Sequence, residues 1–263
     1  MTSFNGYKEY KYESWDDFVA HNDFFSEDMG FVFRGQRDSS WKLETTLDRH
    51  VSRLDPNNVF LRNPYEEIFE KFVKSIRGRT GVEKSVDLNE DEIWALGQHY
   101  GLATPLLDWS FSFFVALYFA FEEQAEPTTG YRTVWALHTC SNIQNAMACF
   151  NEGKESKDQF KFVDPLSDEN PRLVSQSGIF TKQPLRREFN LIDWITTNFD
   201  GVYNPYLIKI DIPSSERLRI LKQLKMMNVH AATLFPDLEG SAKYCNAELE
   251  LKKDKIMKNI RNY

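Results

Sequence analysis

The apolar positions along this chain switch between two periods. Residues 7–12, YKEYKY, alternate and predict a strand; Ser14, followed by Trp15 and two acids, predicts the N-cap of a helix over SWDDFVAHNDFF. Residues 31–34 open with Phe-Val-Phe and read as a buried strand, closed by a turn at RDSS. Helical spacing returns at 63–79, where Ile68, Phe69, Phe72, Val73 and Ile76 share a face, and at 86–101, where Gly101 ends the helix. Pro105 forbids a helix through 102–110, so that stretch is extended, and Ser110 or Ser112 caps the nearly all-apolar helix that follows to Phe121. Further strands are predicted at 131–139, at 171–184 with a glycine inside, and at 206–213. The polar stretch 141–169 reads as an insertion or a mobile loop. A capped amphipathic helix follows at 214–227, then a short strand, a turn and a helix start over 231–245, and a charged terminal helix or frayed end.

Helices and strands are interspersed without a strict βαβ rhythm, and no Gly-rich phosphate loop is present. The expectation is a single α+β domain, with residues 1–30 as an N-terminal extension packed on it, 31–244 as its body and 245–263 as a charged tail or helix. At 263 residues, 41% hydrophobic and 14% aromatic, the chain can bury a sizeable core. Its net charge of −7 argues against non-specific nucleic-acid binding, although Lys182, Arg186 and Arg187 could form a local basic patch for RNA or DNA. Three widely spaced cysteines fit neither a disulfide framework nor a zinc site, so reduced, mostly buried thiols and no metal are expected. No apolar run suits a signal peptide or a membrane span, which predicts a cytoplasmic protein with no membrane partner.

Four stretches carry candidate chemistry. An arginine ending a buried strand, Arg34, must be paired or must hold a ligand, and Gly35 lets the backbone turn or a ligand approach. Its structural alternative is a salt bridge to Asp108 or Glu44. The second stretch, 97–110, gathers Gln98, His99, Tyr100, Asp108, Trp109 and Ser110. Strand alternation places Leu106, Asp108 and Ser110 on one face and Leu107 and Trp109 on the other. His99 is a candidate general base or a satisfied core histidine. In the third, 171–180, alternation puts Gln176 beside Gly178, aimed into a cleft or marking a bulge. In the fourth, Asp237 and Glu239 form a turn or lend a carboxylate.

Together FRGQ with Trp41, GQHYGLATPLLDWSFSFFVALYFA, NPRLVSQSGIF and TLFPDLEGSA, in that order over 31–244, resemble the FRG domain family, named for Phe-Arg-Gly, here Phe33-Arg34-Gly35. The family more often has Pro-Thr-Arg where this chain has Ala103-Thr104-Pro105. The architecture these blocks imply is similar to that of ADP-ribosyltransferases: a split, mixed sheet surrounded by helices. That resemblance implies Arg34, Ser110 and Gln176 as the three site elements, with Asp108, Asp237, Glu239 or His99 activating an acceptor unless the acceptor is nucleophilic enough alone. It implies NAD as co-substrate, bound by Arg34, Gln36, Gln98, Tyr100, Trp109 and Ser110, with Trp109 or Tyr100 stacking on nicotinamide. The implied activity is ADP-ribosylation of a protein or nucleic acid by a toxin or antiphage effector, which an antitoxin or other regulator would control. Two alternatives stand beside it, a non-catalytic nucleotide- or protein-binding module and an NAD glycohydrolase or other hydrolase.

Overall fold

The structure, a computed structural model, describes residues 5–21, 30–57, 63–78, 88–165, 171–185 and 189–261. Its strands are β1 (Tyr7–Lys11), β2 (Phe31–Gln36), β3 (Leu106–Ser110), β4 (Tyr131–His138), β5 (Lys161–Val163), β6 (Gly178–Lys182) and β7 (Leu207–Pro213). They form one seven-stranded mixed sheet in the order β1-β7-β4-β2-β3-β6-β5, flanked by helices: an α+β fold. Only β1 and β7 run parallel; the other neighbours are antiparallel.

The register is uneven. Strands β2 and β4 pair over six residues and β3 and β6 over five, but β2 meets β3 at one registered pair, Phe33 opposite Ser110. Beyond that pair the sheet parts into a four-stranded and a three-stranded half. The parting falls where β2 reads Arg34-Gly35-Gln36.

Helix α5 (Phe113–Phe121) lies across this junction, apolar almost all round and accordingly buried. Phe31 and Phe33 join its cluster on one face of β2, and Val32 joins a second cluster on the other face. Gly35 faces α5. A methyl group there would stand 2.0 Å from the Ala116 carbonyl oxygen and 2.5 Å from the Ala120 nitrogen, both rigid backbone atoms. The glycine of Phe-Arg-Gly therefore permits a close approach of helix to strand, with no special dihedral required. Ser112 caps the start of α5, its hydroxyl accepting from the Val115 N–H at 3.4 Å. At the other end two arginines serve the last carbonyls: Arg132 donates to Ala120 O at 2.9 Å, and Arg217 donates to Glu122 O and Glu123 O, each at 2.8 Å.

Four expectations are corrected. The polar stretch 141–169 is ordered where described: α6 occupies Ser141–Asn151 and β5 adds an edge strand, because Ile143, Met147 and Phe160 bury completely or nearly so within the polar pattern. Residues 171–180 are not one strand. They form a short helix over Pro171–Ser175, a turn with Ser177 at φ 46° and then β6, with Leu173 packed so close that a methyl at Gly178 would meet its Cδ1 at 2.5 Å. Ala231–Leu234 is a short helix rather than a strand. Of the thiols, Cys149 and Cys245 are exposed and Cys140 is half-buried, contrary to the expected burial. Strand β1 is an edge of the sheet itself, and the terminal helix runs unbroken over Leu238–Arg261. Among the described residues no helix is long and apolar enough to cross a membrane.

Replacing Gly35 with alanine forces α5 away from β2. Overpacking of this kind costs about 1–3 kcal/mol or more, so G35A should lower the urea midpoint clearly; a midpoint unchanged from wild type would refute the close-approach account.

Candidate functional site

Where the half-sheets part, a cavity of about 840 Å³ opens. That volume suits a drug-sized or dinucleotide-sized ligand. Its wall takes Arg34 and Gly35 from β2, Asp108 and Ser110 from β3, Gln98 and His99 from α4 (Glu90–His99), and Gln176 from the turn before β6. Residues distant in sequence are thus brought together as expected, but not all in the expected roles.

Arg34 has its side chain only 16% exposed. Its Nη1 donates to the Asp108 carbonyl at 2.9 Å and reaches the Asp108 carboxylate at 3.4 Å, bridging the parted strands. The predicted ion pair and the predicted cavity position therefore coexist; Glu44 is not its partner and instead lies 3.9 Å from Lys42. Burial pulls the guanidinium pKa down and nearby Arg49 adds to this, against Asp108, which favours the charge. Arg34 Nε is buried without a hydrogen-bond partner. Asp108 also accepts from Gln98 Nε2, while Gln98 Oε1 accepts from the Thr104 hydroxyl, so Gln98 holds the carboxylate in place. His99 lines the cavity and is not a core residue. Burial and the Arg172 charge lower its pKa against an opposing Asp237, so its imidazole is neutral at neutral pH.

Six assignments change. The Ser110 hydroxyl donates to Gln176 O at 2.7 Å and accepts from Ser112 N at 3.0 Å, tying β3 to the turn and to α5. The Gln176 amide donates to Leu234 O at 3.1 Å, and the residue sits in a turn rather than on a strand. Trp109 lines the cavity but is buried, its Nε1 donating to Thr181 at 2.9 Å, so little of its ring is open to a ligand. Tyr100 is exposed outside the cavity lining. Gln36 is buried, its amide shared between Lys42 O and Trp135 Nε1. Lys182 does not offer a basic patch: it is fully buried and bonded to Glu90 at 2.6 Å and Asp91 at 3.2 Å, while Arg186 and Arg187 lie outside the described residues. Asp237 accepts from Gly240 N at 2.8 Å, and both Asp237 and Glu239 pair with Arg172, which lines the cavity.

The structure adds groups that the sequence reading passed over. Glu122, just past the end of α5, lines the cavity, and burial raises its pKa, opposed by Lys243 and reinforced by Glu123. Arg37, Trp41 and Arg49 line the wall beyond β2, with the Arg37 guanidinium 4.9 Å from the Trp41 ring centroid. Their loop is shaped by Asp38, which accepts from Ser40 N–H at 3.0 Å, its hydroxyl at 2.8 Å, and the Thr128 and Thr129 hydroxyls at 2.7 and 3.2 Å. A short carboxylate directly before two serines was the available signal. Among the described residues no group of three His, Cys, Asp or Glu is placed to hold a metal ion.

Residues 29–129 match the family model of the FRG domain. Neither the curated proteins nor the solved structures yield a match.

Burial alone would raise the Asp38 pKa, but its hydrogen bonds outweigh that and hold it far below the unfolded value of 3.8. A depressed folded pKa contributes stability that is complete above about pH 4 and drains away as pH falls toward the folded value. D38A should therefore melt below wild type at pH 6, with the gap closing as the pH is lowered from 4 to 2. A gap independent of pH would show that the carboxylate charge is not what shapes the loop.

Proposed function

We propose that this protein transfers ADP-ribose from NAD to a macromolecular acceptor. The observation that carries the reading is the dinucleotide-sized cavity at the parting of the half-sheets, with a guanidinium held inside it by strand β2. Both features accord with the split-sheet resemblance to ADP-ribosyltransferases. Arg34 is suited to hold a phosphate or a ribose hydroxyl, since its position is fixed by the core behind it.

In the reaction the bond between nicotinamide and ribose C1′ breaks, nicotinamide leaves with the electron pair, and an acceptor nucleophile forms the new bond to C1′. Positive charge builds on the sugar as that bond breaks. A carboxylate facing the sugar opposes that charge, and Glu122 and Asp108 are the carboxylates of the cavity suited to it. Neutral His99 can take the proton the acceptor loses. Gln176 and Ser110 hold the walls together rather than acting on the substrate. The apolar ring surface for nicotinamide falls to the half-buried Phe119 in the lining, in place of the buried Trp109 and of Tyr100. The biological setting proposed for such a transferase is a toxin or an antiphage effector under the control of an antitoxin or regulator.

A second reading, a nucleotide-binding module without catalysis, is favoured by the internal bonding of Ser110 and Gln176, two of the three expected site elements.

Incubation with NAD labelled in the adenylate, with cell extract as acceptor source, should release nicotinamide and label a macromolecule. R34A should abolish both while retaining the wild-type circular dichroism spectrum. Release without label transfer would identify a glycohydrolase, and nucleotide binding without release would identify the module.

A further inference from the structure

The proposed reading leaves open where in so large a cavity the phosphates of a substrate sit. Buried side-chain polar atoms without a hydrogen-bond partner are few among the described residues, and two of them belong to this cavity: Arg34 Nε and Arg37 Nε. Orphaned donors of this kind call for an acceptor. Both guanidiniums are held in place while their carboxylate partners reach them from solvent. The Arg34 side chain is 16% exposed against 63% for Asp108, and that of Arg37 is 27% exposed against 57% for Glu123. An incoming anion can displace Glu123 into water while Arg37 stays where it is, and Asp108, held by Gln98, leaves the Arg34 Nε still without a partner.

A third guanidinium completes the group. Arg49 lines the same cavity from α2 (Thr46–Leu54), where its Nη1 donates to the Glu44 carbonyl at 2.5 Å, and its charge is near enough to Arg34 to depress that residue's pKa. Like charges converging on one space repel unless an anion lies between them. Trp41 stands at the same wall, 45% exposed, offering a planar surface beside Arg37. The cavity carboxylates Asp108, Glu123 and Glu44 also face this wall, paired with Arg34, Arg37 and Lys42 respectively, which leaves Arg49 as the cation whose side-chain partner is a neutral carbonyl.

We infer that Arg34, Arg37 and Arg49 form a diphosphate subsite, with Trp41 taking the base, so that the cavity recognises a nucleoside diphosphate moiety. This deepens the proposed transferase reading and rests on the same cavity. Bidentate contacts from planar guanidiniums suit the paired oxygens of a diphosphate, and the indole suits a purine face.

Calorimetric titration of the full chain with ADP, adenosine and inorganic pyrophosphate tests the inference without any turnover. ADP should bind tighter than either fragment, and added salt should weaken ADP and pyrophosphate but not adenosine. Arg49 is exposed on its helix, so R49A should fold, and it should weaken ADP by about 10–100-fold, the range for losing a charge-assisted contact, leaving adenosine unchanged. R49K, which keeps the charge without the fork, should fall between wild type and R49A. W41A should bring ADP down to the affinity of pyrophosphate. If wild type binds ADP no tighter than adenosine, or R49A leaves ADP binding unaltered, the diphosphate subsite is overturned; if W41A leaves ADP as tight as before, the base assignment is overturned. Nicotinamide release separates this from the parent reading: release without ADP preference refutes only the subsite, and ADP preference without release refutes only the transferase.

Discussion

The contact of α5 with β2 at Gly35 is the constraint on which the rest of this structure depends. Helix backbone rests directly on strand backbone, with no room for even a methyl group between Gly35 and Ala116. That contact fixes the height of α5 above the sheet. The buried Arg132 and the inward-facing Arg217 then fix its C-terminal end by bonding its last carbonyls, and Ser112 fixes its start. Once the helix is set, Glu122 and Glu123 are placed at the cavity, and the sheet beneath can part without losing its cover. An apolar helix buried nearly all round has little freedom to shift, since close-packed interiors transmit displacement rather than absorb it.

The parting of β2 from β3 turns a structural arginine into a candidate binding group. Strands that continued in register would have bonded Arg34 and Gly35 backbone to backbone with β3, leaving no cavity. One registered pair holds the halves together, and beyond it the Arg34 side chain takes over the bridging by reaching the Asp108 carbonyl. The same guanidinium thus closes the gap in the sheet and offers charge to the space the gap creates. The question of whether Arg34 is an ion-pair partner or a ligand group has no exclusive answer here, because the guanidinium pairs with Asp108 and still keeps a buried Nε without a partner. A similar economy appears at Ser110 and Gln176: side chains that lie at the cavity are spent on joining its walls.

Electrostatically the cavity is mixed rather than basic. Cations from β2, the loop after it and α2 sit among carboxylates from β3 and the end of α5. In a chain of net charge −7 this local concentration of guanidinium is what would let an anionic small molecule bind. The absence of a displayed surface patch at Lys182 follows from the same chemistry: that amine is buried between Glu90, Asp91 and Ser156, and ties α4 to β6.

Much of the local structure was legible in the sequence because it is encoded within a few residues. Alternation marked β1, the segments of β4 and β7 read as strands, Gly101 ended α4, and the apolar run after Ser112 marked α5. The α+β class and the gathering of Arg34, Gln98, His99, Asp108, Ser110 and Gln176 around one space also followed from motif order. Side-chain roles did not, because each depends on a partner far along the chain. Trp109 is a core residue owing to Thr181, Gln36 is locked by Trp135, and the turn at Ser177 depends on Leu173 packing against Gly178. The helix hidden at 141–151 took its burial from Phe160 and the sheet, which no local period could announce. Sequence by itself determined the segments whose pattern is local, such as β1, β2, α4 and α5, and which residues would be carried toward the site. Tertiary structure alone decided where the sheet parts and which polar atoms remain unsatisfied there, since both are set by the fit of one backbone against another.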